Sequence, residues 1–514
     1  MLLVSIHPTI KLFFICLSGF LLSLSAPGYD LWFLAWILIS PLFIVINTSK
    51  NVKETVLYSF IFGFSYNFWY LHWLFSLYPL DWLGFNNFQS LLISFLALFV
   101  TSACAAMFFV LFSLCVIFLK RISPFLKNKS IVNCVVISFI WLIVFNKLSS
   151  LKLLFGFPWT LIEYSQYKNI FLIQIAEYFG SLSVSFLIVF FNQVLADFIV
   201  WLFNVEKISN RYVPKTPGYF GTVVFSFLFI LILISMCTVY GAYLFNKNTE
   251  QFSNLSQSVS VIQGNLPIKT TRGEGLDIML ARKTYSELIN NSNAALIITP
   301  EGSLPAIFNF DLATQYWLKS QIFKKQSDII SGTYCKSEKA LTNCAVSYGL
   351  SSKTFSYYEK ERLVPFGEFT PFVFILPDFL KKLAVNIIGN GFEPGEKNSP
   401  VLTSIGKVGI NICFELIFPT IIRKHVVEGA KVLVNISDLS WFSNDIVKQQ
   451  FLAFAVFRAI ENRKPLVIAT NNGISAFVEP NGKIKSQSLP STQGVLLNWV
   501  NPNNKVTFYA KYGW

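Results

Sequence analysis

The stretch VGINICFELIFP, residues 408–419, decides how the second half of the chain is interpreted. Its apolar, β-branched first part predicts a buried strand that delivers Cys413 to the strand's end, and Glu415 and Pro419 indicate that a turn follows. Free cysteine is among the most buried residue types, so Cys413 can be an inert core side chain. Taken alone, the stretch favours that interpretation. The rest of the chain has to decide whether Cys413 is a nucleophile instead.

The composition is that of a membrane protein. Of 514 residues, 54% are hydrophobic and only 13% are charged, whereas a soluble protein carries about a quarter charged residues. The net charge of +14 could indicate nucleic-acid binding. We reject that function because the cations mostly flank apolar segments, as membrane topology requires. The eight cysteines and three histidines include no CxxC pair or Cys/His cluster, so we expect no metal and no cofactor.

The first half of the chain contains several apolar segments, each meeting the roughly 20 residues that a membrane span needs. The first of them resembles a signal peptide, but more apolar segments follow at once and its basic region is weak, which favours a retained span. We therefore predict a membrane domain of about seven helices over residues 1–250 and a catalytic domain over 251–514. The predicted spans lie near residues 10–26, 30–48, 54–78, 89–119, 131–147, 178–203 and 219–245.

The basic residues of the loops predict the orientation. Lysines and arginines concentrate between spans two and three, four and five, and six and seven, and the alternate loops carry few or none. By the positive-inside rule the basic loops are cytoplasmic. The N-terminus is then cytoplasmic, and an odd number of spans places everything after residue 245 outside.

One outer loop, residues 148–177, is rich in aromatic residues, including Trp159 within FGFPW at 155–159. Aromatic side chains at a membrane interface usually act as anchors. The alternative is that this loop helps to form a lipid entrance beneath the catalytic domain.

From residue 255 the pattern changes to short apolar strands that alternate with amphipathic helices. This alternation over about 250 residues predicts a layered α/β domain. The expected strands are 259–265, 295–301, 328–334, 431–436 and 466–470, and the expected helices are 275–290, 310–325 and 445–462.

Three polar residues stand at strand ends or in distinctive turns of this domain: Glu301, Lys360 and Cys413. Loops at strand ends are where α/β folds place function. A cysteine attacks as thiolate, a buried glutamate can take and return its proton, and a lysine ammonium can stabilise an oxyanion. Spacing alone leaves the other interpretation open, since surface Glu and Lys are common as solvated charges.

At these positions the chain resembles a known family. Pro300-Glu301, Lys360 with LVPFGE at 363–368, and ICFE at 412–415 resemble the Glu-Lys-Cys signature of the nitrilase (carbon–nitrogen hydrolase) superfamily. Together with the preceding spans, QGN at 263–265 and TNNG at 470–473 resemble the bacterial apolipoprotein N-acyltransferases within it.

The resemblance implies an αββα sandwich on the outer, periplasmic face of a bacterial inner membrane. It implies that a phospholipid, usually phosphatidylethanolamine, donates an acyl chain to Cys413, and that the thioester passes the chain to the N-terminal S-diacylglyceryl cysteine of an apolipoprotein. By position, Glu301 would be the general base and acid, and Lys360 the oxyanion stabiliser. Glu368 and Glu415 match supporting acidic positions, and a monomer is expected. A membrane-tethered amidase that uses water is the alternative.

Several positions depart from the family pattern. Arg272 and Thr299 stand where other members commonly have tryptophan, and Phe414 stands where they commonly have tyrosine. The sequence also stops at residue 514, where better-known members continue into a further span. These departures put the details of substrate contact in question. The candidate substrate contacts are Trp159, Arg272, Phe414 and Trp441, although packing is an alternative for Trp441 and a solvated charge for Arg272.

Two further features stand in the sequence before and after the Lys360 turn. The apolar stretch 370–395 is either core or a mobile arm that dips into lipid, and an acyl chain that must reach Cys413 without crossing water favours the arm. Cys335 and Cys344 flank a polar turn, and outside the cytoplasm they could form a disulfide; the sequence leaves this open.

Overall fold

A computed structural model describes residues 7–49, 51–122, 130–151, 156–202, 217–250, 256–268, 277–336, 341–350, 353–370, 378, 391–396 and 398–513. The chain divides into two compact units. The first comprises Met1–Leu80, Phe85–Ala176 and Gly180–Tyr243, and the second Asp81–Gly84, Glu177–Phe179 and Leu244–Trp514.

The N-terminal half is helical. Its helices are α1 (Pro8–Ser23), α2 (Ser40–Thr48), α3 (Val52–Tyr70), α4 (Asn87–Ile122), α5 (Ser130–Trp141), α6 (Ala176–Phe179), α7 (Leu182–Leu202) and α8 (Pro217–Glu250).

Four helical segments of the described chain are long and apolar enough to cross a membrane: Asn87–Ile122, Ile131–Ser150, Leu182–Leu202 and Phe220–Lys247. They coincide with the last four predicted spans, so the polytopic helical class is confirmed. α1 and α3 approach closely at Gly19, where a Cβ atom would lie 2.5 Å from the carbonyl oxygen of Phe62.

The earlier spans differ from the prediction in their continuity. The second is a 3₁₀ segment, Trp32–Trp36, followed by α2, which begins with a proline in its first turn. Proline is accepted there because the first amides of a helix have no intrahelical partner. The third predicted span reached residue 78, whereas α3 ends at Tyr70 and a 3₁₀ segment, His72–Leu77, follows. A total of seven spans therefore stays a prediction.

The second unit contains two β-sheets. The first sheet has the strand order β13-β1-β2-β4-β5-β6, with β3 paired to β4, and the second has the order β12-β11-β10-β9-β8-β7. The strands are β1 (Gln257–Gln263), β2 (Leu296–Ile298), β3 (Leu304–Ile307), β4 (Asp328–Lys336), β5 (Leu341–Tyr348), β6 (Phe355–Glu359), β7 (Val401–Thr403), β8 (Gly406–Ile412), β9 (Val432–Ser437), β10 (Leu466–Thr470), β11 (Ala476–Val478), β12 (Ile484–Gln487) and β13 (Gly494–Val500).

The two sheets pack face to face. One buried apolar cluster draws on both, with Val261 and Ile298 from the first sheet and Ile410, Val434 and Val467 from the second. A second cluster joins the outer face of the first sheet to two helices, and further helices pack on the second sheet. This arrangement confirms the α/β sandwich. The helices are α9 (Asp277–Asn290), α10 (Leu312–Lys325), α11 (Pro419–Val427), α12 (Asp445–Asn462) and α13 (Phe508–Tyr512).

Parallel pairing brings several strand ends to one edge of the sandwich. β8, β9 and β10 run parallel to one another in the second sheet, and β1, β2 and β4 do so in the first. Four of these strands have a chemically reactive or polar residue at or shortly after their carboxyl end. Cys413 follows β8, Asp438 follows β9, Asn471 follows β10, and Glu301 lies three residues after β2.

Candidate active site

Cys413 occupies a strained position at the end of β8. Its φ of 50° lies in the left-handed region, which residues other than glycine rarely adopt and which recurs at functional sites. A 3₁₀ turn, Cys413–Ile417, begins at this residue. The apolar strand thus ends at Ile412, and the backbone turns at Cys413.

Glu415 stabilises this turn through hydrogen bonds. Its carboxylate is fully buried, and its Oε2 accepts hydrogen bonds from the Ile412 amide at 2.7 Å and the Tyr358 hydroxyl at 2.8 Å. Its Oε1 accepts the amides of Glu361 at 2.6 Å and Arg362 at 3.1 Å. One carboxylate therefore fastens the cysteine turn to the segment that carries Lys360.

Lys360 lies between two carboxylates. Its side chain is 1% exposed, and its Nζ donates to Glu301 Oε1 at 3.0 Å and to Glu368 Oε1 at 2.9 Å. The Glu368 Oε2 atom in turn accepts the Val364 amide at 2.7 Å. The LVPFGE turn therefore closes on itself and fixes Glu368 against the lysine.

The orientation of Glu301 is fixed by three donors. Oε1 accepts from Lys360 and from Asn343 Nδ2 at 2.7 Å, and Oε2 accepts the Asp438 amide at 2.8 Å. The turn beneath it is tight, because a Cβ at Gly332 would lie 2.5 Å from the Glu301 Cα.

The charges and the burial around Cys413 favour its neutral thiol, so a nucleophilic Cys413 would need a base. Burial and the nearby Glu301 carboxylate raise the pKa of the Cys413 thiol well above its usual range, although Lys360 opposes them. Burial disfavours the Lys360 ammonium, but Glu301 and Glu368 outweigh it and raise the lysine pKa. At neutral pH the resting site therefore holds a neutral thiol and a charged lysine, and the thiol must lose its proton before it can attack.

Sequence reasoning missed two contributors. Asn343, in β5, donates through Nδ2 to Glu301 and also to Glu368 at 2.8 Å, and its carbonyl accepts the Lys360 amide at 2.9 Å. Asp438 supplies the amide that holds Glu301. An asparagine within the strand sequence LTNCAVSY was the only available signal for the first, and the polar residue directly after β9 was the signal for the second.

The positions that depart from the family pattern have defined surroundings where they are described. Thr299 hydrogen-bonds Ser303 and Ser331 at 2.7 and 2.6 Å, below the Glu301 turn. Phe414 is 4% exposed and packs edge-on against Phe418, with 5.2 Å between ring centroids. Arg272 lies outside the described residues.

Four further predicted features have different outcomes. Trp159, in the first unit, is buried against Trp73, with 5.0 Å between ring centroids. Trp441 is partly exposed, three residues after Asp438. Cys335 and Cys344 form a disulfide. The proposed arm at 370–395 falls largely outside the described residues.

Two family models match the chain one after the other. The apolipoprotein N-acyltransferase N-terminal domain matches residues 18–194, and the carbon–nitrogen hydrolase model matches residues 258–504. The chain belongs to the apolipoprotein N-acyltransferase family. It is therefore a membrane acyltransferase of the carbon–nitrogen hydrolase superfamily.

Relatives that match over most of their length are described as apolipoprotein N-acyltransferases. An apolipoprotein N-acyltransferase of Geobacter metallireducens is 28% identical over 97% of this chain and 90% of its own length. One of Pasteurella multocida is 26% identical over 96% of this chain and 90% of its own. A carbon–nitrogen hydrolase structure from Helicobacter pylori G27 is 18% identical, with a TM-score of 0.37, and the match covers 48% of this chain and 89% of that one.

Proposed function

We propose that this enzyme performs the last step of lipoprotein maturation, with Cys413 as the residue that carries the acyl chain. Two observations support this most directly. Glu301, Lys360 and Glu368 form a buried ion-pair cluster, and the backbone of Cys413 adopts the left-handed conformation. Together these residues supply a base, a fixed cation and a nucleophile, which are the groups that acyl transfer through a thioester needs.

In the first half-reaction, Glu301 takes the proton of the Cys413 thiol and the thiolate attacks an ester carbonyl of a phospholipid. The carbonyl oxygen becomes an oxyanion, which the Lys360 ammonium stabilises. When the intermediate collapses, the C–O bond to the glycerol breaks. The leaving oxygen receives the proton from Glu301, so a lysophospholipid departs and an acyl thioester stays on Cys413.

In the second half-reaction, the α-amino group of an S-diacylglyceryl cysteine attacks the thioester. Glu301 takes a proton from the nitrogen, the C–S bond breaks, and the cysteine sulfur recovers the proton. The products are an N-acylated lipoprotein and the resting enzyme. Glu368 holds Lys360, and Asn343 contacts both Lys360 and Glu301, so these two residues keep the pair in place through both halves without being needed as proton carriers.

The finer identity of the substrates and the location are part of the same proposal. The donor is phosphatidylethanolamine, the acceptor a diacylglyceryl-apolipoprotein, and the enzyme a monomer in a bacterial inner membrane. Its catalytic domain is periplasmic and its N-terminus cytoplasmic. The positive-inside distribution of loop charges supports this orientation, and reporter fusions at about residue 250 test it.

A water-using hydrolase would employ the same three residues, so the acceptor distinguishes the two functions. The purified full chain is incubated in vesicles with acyl-labelled phosphatidylethanolamine and a short peptide that bears an N-terminal S-diacylglyceryl cysteine. We expect label in an amide on the peptide. Label that appears only as free fatty acid, with and without peptide, would identify a hydrolase.

A further inference from the structure

Glu301 and Cys413 come from opposite sheets of the sandwich. Glu301 follows β2 in the first sheet, and Cys413 follows β8 in the second. Proton transfer between them needs their side chains to stay within hydrogen-bond reach. The relative position of the two sheet edges therefore affects catalysis. The contacts that cross between the edges determine this position.

One buried side chain connects three of these strand ends. Asn471, directly after β10, is fully buried. Its amide contacts the residue after the QGN turn twice, since Nδ2 donates to the Leu266 carbonyl at 2.8 Å and Oδ1 accepts the Leu266 amide at 2.9 Å. The Asn471 carbonyl also accepts the Asn265 amide at 2.8 Å. Asn471 thereby joins the end of β10 in the second sheet to the end of β1 in the first.

The same amide reaches the residue that holds Glu301. Asn471 Nδ2 donates to Asp438 Oδ1 at 3.2 Å, and Asp438 Oδ1 also accepts the Ser440 amide at 3.0 Å. The Asp438 amide then donates to Glu301 Oε2 at 2.8 Å. A continuous series of hydrogen bonds thus runs from β1 through β10 and β9 to β2, crossing between the sheets at both ends.

We propose that Asn471, acting through Asp438, is a positioning residue that holds Glu301 in register with Cys413. The proposal rests on the proposed function, because acylation of Cys413 is its readout. It also gives the TNNG motif a role beyond that of a turn.

The test replaces the amide by a carboxylate of the same shape. Asn471→Asp removes the donor to Asp438 and to the Leu266 carbonyl and places two carboxylates in contact. Acylation of Cys413 by labelled phosphatidylethanolamine is expected to slow by about 100-fold, as for a catalytic group that is misplaced by about 1 Å. The double variant with Asp438→Asn restores an amide–carboxylate pair in the reverse direction, and it should recover about tenfold over Asn471→Asp.

The pH profile separates positioning from simple structural support. The added carboxylate places a second negative charge beside Asp438, whose amide holds Glu301, so the pH profile of the acylation rate should differ between Asn471→Asp and wild type. A lowered melting temperature with an unchanged pH profile and no recovery in the double variant would overturn the proposal.

Two further variants keep the test decisive. Asn462→Asp places a charge at another fully buried asparagine of the same unit, one that donates to the Arg458 carbonyl away from this cluster. It should acylate like wild type for each folded molecule. If Asn471→Asp does not fold, Asp438→Ala removes the acceptor while it keeps the main-chain amide, and wild-type acylation in that variant would refute the proposal. Failure of wild type itself to acylate would instead refute the proposed function.

Discussion

Replacement of Lys360 by methionine removes a buried cation from between two carboxylates. The Lys360 Nζ atom lies 3.0 Å from Glu301 Oε1 and 2.9 Å from Glu368 Oε1, and all three side chains are largely buried. Each contact is worth about 5 kcal/mol at an effective dielectric constant of about 20. Desolvation of the lysine offsets much of that gain, so the expected loss of folding free energy is about 3–5 kcal/mol.

Without the lysine, Glu301 and Glu368 share the Asn343 amide as neighbouring like charges. Their repulsion adds to the cost of the two lost contacts. It also acts directly on Glu301, so the variant should lose acylation as well as stability.

Chemical denaturation at pH 8 measures the loss of folding free energy, and acylation of Cys413 measures the catalytic effect, which should be a loss of about 100- to 1000-fold. Lys464→Met is the matched control, because Lys464 is equally buried but donates to the main-chain oxygen of Asn503 at 2.6 Å. A Lys360→Met variant that is as stable as wild type at pH 8, or that acylates within about tenfold of it, would refute this reasoning.

Three further measurements test Glu415, Gly332 and the Cys335–Cys344 pair. Burial raises the pKa of Glu415 from 4.5 to about 7, so stability should fall by up to about 3 kcal/mol as pH rises through that interval; urea titrations should show this slope in wild type and not in Glu415→Gln. Gly332→Ala should displace the Glu301 turn, at a cost of about 1–3 kcal/mol, and a variant with wild-type melting temperature and acylation rate would contradict the close approach. Mass spectrometry of non-reduced protein should find Cys335 and Cys344 joined, and two alkylated thiols would disprove the disulfide.

The chemistry of the site was predictable where it depends on residue type at strand ends. Glu301 and Cys413 each follow an apolar run. A polar residue that follows a predicted strand is expected to lie at the edge of the sheet. Parallel pairing then brings such edges together. The strand ends therefore marked Glu301 and Cys413 as candidates, but the resemblance to the Glu-Lys-Cys signature was needed to group residues of both sheets into one predicted site.

The contacts that hold the site were not predictable in the same way. Asn343 lies inside a strand, and only the pairing of β5 with β4 and β6 places its amide beneath two carboxylates. The break in the second predicted span was missed for a related reason. Hydropathy depends on composition, and residues 32–48 are predominantly apolar, whereas the break between Trp36 and Ser40 is a matter of backbone geometry.

Whether Cys413 carries the acyl chain can be measured on the enzyme without its acceptor. Full-length protein in vesicles of labelled phosphatidylethanolamine is digested and analysed by mass spectrometry beside Cys413→Ser. We expect a hydroxylamine-sensitive acyl group on the peptide that contains Cys413, absent from the variant and discharged when the diacylglyceryl-cysteine peptide is added. Transfer to the peptide by wild type and by Cys413→Ser at equal rates, with no acyl group at residue 413, would contradict it.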